Sequence, residues 1–187
     1  MINLKKKKGN GYVFALVQGS IFIYIIMLLA SSVLEFRTAS YKSKFIEKAL
    51  KQSALSGLIY DVNEYGTTNL IKITDVDKSM EEFKHSLSTS LELDNNLTQI
   101  GHKFIEGTMD ISKFIIYNET PTGTQVITRG DMGNSDVFYN GVTNMKTPSD
   151  IDVKHATLYV EVQFDVLIFG NIVHTKKDAT VALSPKS

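Results

Sequence analysis

Residues 12–34 read YVFALVQGSIFIYIIMLLASSVL, a run that contains no Asp, Glu, Lys or Arg. A helix of about 23 residues rising about 1.5 Å each reaches about 34 Å, enough for the roughly 30 Å hydrocarbon layer of a bilayer with slight tilt. The stretch is expected to be a transmembrane helix, which makes the lipid bilayer the first partner. Its polar side chains are Gln18, Ser20, Ser31 and Ser32, with Gly19 beside them. Small and amide-bearing residues of this kind commonly mark helix contacts in membranes, so Phe14, Ala15, Leu16, Gln18, Gly19 and Ser20 form the candidate helix-packing turn. The alternative is that they merely tolerate lipid.

Lys5, Lys6, Lys7 and Lys8 stand directly before the run, with no acid among them. Such a cluster favours a cytoplasmic N-terminus. Arg37, Lys42, Lys44, Lys48 and Lys51 follow on the other side, tempered by Glu35 and Glu47. The first cluster is contiguous and lies against the span, whereas the second is spread over several turns, and this decides the orientation. A cleaved signal peptide has an apolar region of about 7 to 15 residues ending at a small-x-small site. This run is longer and shows no such boundary, so an uncleaved anchor is the expectation.

Composition narrows the rest. The 187 residues amount to one anchor and one domain large enough to bury its own core. The formal charge of zero conceals an asymmetry: all acidic residues lie after Leu34, leaving that part with a net charge of −4. Nucleic acid is not expected as a partner. The absence of cysteine excludes a disulfide framework, a zinc ribbon, a redox CxxC and a cysteine nucleophile.

Beyond the span no Pro or Gly interrupts the chain before Gly57. Phe45, Ile46, Ala49, Leu50, Ser53 and Leu58 recur at helical steps, so one helix is expected over about residues 12–58, its outer half amphipathic. Residues 61–73 read as a loop or weak strand. Asp75 and Asp77 offer N-caps to a helix over about 78–91, with Met80, Phe83, His85, Leu87 and Leu91 on or near one face. Residues 97–105 read as a short helix or strand.

From Ile111 the period becomes that of strands. Residues 114–117, 125–128 and 137–139 are short runs separated by turn chemistry at 121–123, 130–133 and 140–141. Residues 157–169 alternate Leu158, Val160, Val162, Phe164, Val166 and Ile168 with Tyr159, Glu161, Gln163 and Asp165. Gly170-Asn171 supplies a tight turn, and residues 172–183 return with Val173, Ala179, Val181 and Leu183. One face of this hairpin is apolar enough to cover the outer half of the long helix. The expected division is a basic cytoplasmic leader (1–11), a transmembrane helix (12–34), its amphipathic continuation (35–60) and an extracytoplasmic α+β head (61–187).

Chemical motifs are sparse. His85, His102, His155 and His174 are scattered without HxxxH or HxH spacing and read as structural. Asp131, Asn134 and Asp136, or Asp75 and Asp77, could offer oxygens to calcium; the competing reading is turns and caps whose side chains bond their own backbone. No GxSxG, SxxK or glycine-rich phosphate loop occurs. No enzyme, catalytic residue, resident metal or cofactor is expected.

The N-terminal constellation resembles the TadE-like, minor pilin-like pilus-assembly proteins of type IV pilus and tight-adherence systems. The likeness is carried by Lys5 to Lys8, by Gly9 or Gly11, and by Phe14, Ala15, Leu16 and Val17. Glu35, Arg37 and residues 49–57 match more loosely, as does the closing antiparallel hairpin. Val13 stands where the family carries Glu, and Gln18-Gly19 where Pro often follows. The resemblance implies a pilin-like α+β fold whose long helix packs by its outer half on a C-terminal antiparallel sheet. It also implies prepilin-type processing after Gly9 or Gly11, and other pilin-like or assembly-machinery proteins, or a second copy, as partners. The alternative is an unprocessed, signal-anchored extracytoplasmic binding module.

Overall fold

The computed structural model describes residues 10–183 apart from 102, 132 and 143. The leader lysines Lys5 to Lys8, Gly9 and His102 lie outside the described residues. Three helices, α1 (Asn10–Ser56), α2 (Val62–Thr68) and α3 (Val76–Leu91), precede five strands: β1 (Glu106–Thr120), β2 (Gly123–Arg129), β3 (Ser135–Asn140), β4 (Ala156–Ile168) and β5 (Asn171–Leu183). The class is α+β, with one long apolar N-terminal helix and a five-stranded antiparallel sheet. The chain falls into two compact units that meet in sequence at Tyr41 and Lys42.

The first unit is helical wherever it is described, and its apolar side chains are exposed all round. The helix Gly11–Ser56 is long and apolar enough to cross a membrane, and its first charged residue is Glu35.

In the second unit the strands lie in the order β3-β2-β1-β4-β5 with every neighbour antiparallel. Two hairpins, β1–β2 and β4–β5, are therefore joined side by side through β1 and β4. Alternation along the strands sorts the side chains by face. Phe114 and Ile116 of β1, Ile127 of β2, and Leu158, Val160, Val162 and Phe164 of β4 share one buried cluster. That cluster also holds Ile46, Ala49, Leu50 and Ala54 of α1 and Phe83, Leu87 and Leu91 of α3. The amphipathic stripe of α1 is covered here, as its three- and four-residue spacing requires. Phe45 is half-buried and stacks on Phe104 with ring centroids 4.6 Å apart. The opposite face carries a smaller cluster of Tyr117, Tyr159 and Val153, with Met145 from the β3–β4 connection packed on it.

Gly57, just past α1, permits a close approach. A Cβ there would stand 3.0 Å from the Ser79 carbonyl oxygen, 3.2 Å from Phe83 Cβ and 3.3 Å from Leu158 Cδ2. Ser79 Oγ donates to the Gly57 carbonyl, which ties α3 to the end of α1.

Four expectations are corrected. Residues 61–73 are neither loop throughout nor strand, because Asp61 caps α2 by accepting from the N–H groups of Asn63 and Glu64. Among the described residues, 97–105 contain no helix and no named strand; Leu93 and Gln99 make an isolated bridge, and Thr98 bridges Thr108. On α3 the buried residues are Val76, Ser79, Phe83, Leu87 and Leu91, while His85 is exposed. Strand β1 starts at Glu106, not near Ile111, because its polar first half pairs with β4 through irregular register between Glu106 and Lys113.

Candidate membrane and docking surfaces

The predicted helix-packing residues Phe14, Ala15, Leu16, Gln18, Gly19 and Ser20, and Gly11 of the expected processing site, all lie on α1 and all are exposed. Their hydrogen bonding separates them. Ser20 Oγ donates to the Val17 carbonyl at 2.8 Å, Ser31 to Leu28 at 3.0 Å and Ser32 to Leu28 at 2.8 Å. These hydroxyls close their bonds within the helix, the usual way for serine to sit in an apolar environment. The Gln18 amide has no such bond among the described residues. Nothing stands within 4 Å of a Cβ built on Gly19 or Gly11. The face around Gln18 and Gly19 is thus open and carries one unanswered amide.

The other candidates have structural employment. Asp75 caps α3 by accepting from Lys78 N–H at 2.9 Å, and Asp77 lies 3.7 Å from the Arg129 guanidinium. Asp136 accepts both bonds of the Gln125 amide, at 2.9 and 3.1 Å. At the β1–β4 junction the backbone N–H of His155 donates to Glu119 Oε2 at 3.0 Å. His174 pairs with Asp165 across the β4–β5 hairpin.

The densest polar cluster sits where β1 meets β4. Glu161, 15% exposed, accepts from Ser112 Oγ at 2.8 Å, Lys113 Nζ at 3.2 Å and Tyr159 Oη at 3.2 Å, and Lys176 Nζ lies 3.8 Å away. Burial pushes the Glu161 carboxyl up, but the hydrogen bonds from Ser112 and Lys113 outweigh it, so its pKa lies below the ordinary value. Tyr159 is pushed up to about 12, chiefly by burial and then by the Glu161 charge. Ser112 and Lys113 of β1 and Tyr159 of β4 thus converge on Glu161, with Lys176 of β5 beside it, so the cluster ties these strands together.

Two exposed apolar features were not singled out by the sequence. Strand β3 is exposed along its whole length, with Val137, Phe138 and Tyr139 on a sheet edge. The far end of the β4–β5 hairpin exposes Leu167, Phe169, Ile172 and Val173. Its loop is Phe169-Gly170, not Gly170-Asn171, since Ile168 pairs with Asn171 and both loop residues have positive φ, +50° and +74°. The signal in the sequence was the uncharged run 166–173, VLIFGNIV, of which alternation places only Val166, Ile168 and Val173 on the hairpin's apolar face.

No protein-family model, no curated protein and no solved structure matches this chain.

Proposed function

We propose that this chain is a membrane-anchored, pilin-like structural or assembly subunit of a bacterial surface appendage or secretion system, acting through helix–helix packing of its N-terminal segment. The observation that carries the reading is Gln18. An amide in hydrocarbon without a partner in its own helix is satisfied by a neighbouring helix, and Gly19 lets a second backbone approach it. Lys5 to Lys8 before the span support a cytoplasmic N-terminus with the second unit outside. The partner is a second copy or another pilin-like helix of the same machinery.

The test uses the full chain in host membranes. A cysteine introduced at Gly19, in a protein that has none of its own, should form an oxidative cross-link to a second copy or a partner, and adding Gln18→Leu should reduce the yield several-fold. Mass determination of the mature N-terminus reads processing after Gly9 or Gly11. An unprocessed chain that forms no cross-link at Gly19 overturns the reading.

One observation favours a second reading, an anchored binding module. The second unit has its own core and presents Val137, Phe138 and Tyr139 on an open strand edge, a surface suited to accepting an extended peptide. That reading predicts a monomeric, unprocessed anchor whose β3 edge becomes protected from hydrogen exchange when a partner is present.

A further inference from the structure

We infer that the tip of the β4–β5 hairpin is a second membrane contact, dipping into the interface of the same bilayer that α1 enters; the inference rests on the membrane-anchor reading.

The first argument is where the tip lies within the second unit. Gly57, at the end of α1, approaches Leu158 near the start of β4. Earlier on α1, Glu47 lies close enough to Lys177 of β5 to feel its charge, and Lys177 pairs with Val162. Phe45 stacks on Phe104, next in chain to the start of β1, where Glu106 pairs with Asp165. Hence β4 runs from Leu158 to Asp165 while α1 is followed backward from Gly57 to Phe45. The hairpin continues past Asp165 by about four residues per strand, or about 13 Å. It projects from the end of the unit at which the chain arrives from the span.

The second argument is chemical. Residues 166–173 contain no charge, and Leu167, Phe169 and Ile172 are each half or more exposed. The strands pair with each other through Val166 and Val173, Leu167 and Ile172, and Ile168 and Asn171, so half of the backbone groups that would leave water are already bonded. The outer edges of this two-stranded ribbon are unpaired, which limits it to the headgroup and acyl boundary.

The third argument is conformational. A two-residue loop with positive φ at both positions is best served by Asn-Gly. This chain has Phe at the first position, at φ +50°, with its ring half exposed. Neither the backbone nor burial in the fold favours Phe there, whereas an interfacial anchor does.

The test reconstitutes the full chain in phosphatidylcholine–phosphatidylglycerol vesicles, with an environment-sensitive fluorophore on a single introduced cysteine. Phe169→Cys and Ile172→Cys report the tip, Phe22→Cys the span, and Thr122→Cys the opposite end of the sheet. With lipids that carry a nitroxide near the headgroup, both tip labels should be quenched at least about threefold more than the label at position 122. Quenching at position 22 without quenching at the tip overturns the inference and leaves the anchor standing. Blue-shifted tip emission that nitroxide lipids do not quench means that a second copy or another protein covers the hairpin, and also overturns it. Absence of quenching at position 22 removes the anchor and the inference together.

Discussion

The side chain of Asn118 replaces a strand for Ile73. Its Oδ1 accepts the Ile73 N–H at 2.9 Å and its Nδ2 donates to the Ile73 carbonyl at 3.0 Å, with both residues buried. The segment between α2 and α3 is thereby fixed to β1 without belonging to the sheet. Replacing Asn118 by Leu leaves a buried donor and a buried acceptor unanswered, at a cost of about 2–4 kcal/mol. Urea denaturation of the full chain in detergent should show a lower midpoint with an unchanged slope.

Ser53 presents the opposite case. It is fully buried on α1 among apolar side chains, and its Oγ has no hydrogen-bond partner. Ser53→Ala removes an unsatisfied hydroxyl and installs a better helix former, so it should stabilise the second unit by about 1 kcal/mol. The thermal midpoint should rise by a few degrees, read by circular dichroism.

The Glu161 cluster makes stability depend on acid. Its folded pKa lies below the ordinary value of 4.5, so its contribution is present above that pH and is lost as pH falls through the folded value. Glu161→Gln should be less stable than the parent at pH 7 and should lose less on acidification towards pH 3. Tyr159 acts at the other end of the scale. Its pKa is raised from 10.0 to about 12, so the stability it confers is complete below pH 10 and is lost as pH rises towards 12. Tyr159→Phe should flatten that alkaline loss, measured by thermal melts across the range.

Phe169→Asn relieves a non-glycine residue in the left-handed region of the β4–β5 loop. A gain of about 0.5–1 kcal/mol is expected from the better loop residue. Hydrogen exchange at the amides of residues 166–173 should slow accordingly.

Periodicity made α1, α3 and the β4–β5 hairpin legible from sequence, because each buries one stripe or one face and repeats its apolar residues accordingly. What it missed has local physical causes. Gly66, Thr67 and Thr68 hid α2, although Asp61 followed by Glu64 was a readable start signal. The first half of β1, EGTMD, is polar because it pairs near the sheet's end through shifted register. The hairpin loop slipped by one residue because Gly-Asn resembles ordinary turn chemistry and Phe does not. For the candidate surfaces, the run 12–34 was plain, whereas the distinction between Gln18 and the self-bonded serines needed coordinates. Val166, placed on the apolar face by alternation, does pack against the core, but the exposure of Leu167, Phe169 and Ile172 was not legible, because alternation shows which residues share a face and not how far the cover over that face extends.

The sheet order also bears on how the protein comes to be made. The central pairing of β1 with β4 joins segments far apart in the chain, and β4 supplies Leu158, Val160, Val162 and Phe164 to the buried cluster that holds Ile46 and Leu50. On the anchor reading proposed above, α1 enters the membrane before β4 is made, so for that interval a greasy helix face waits without its lid.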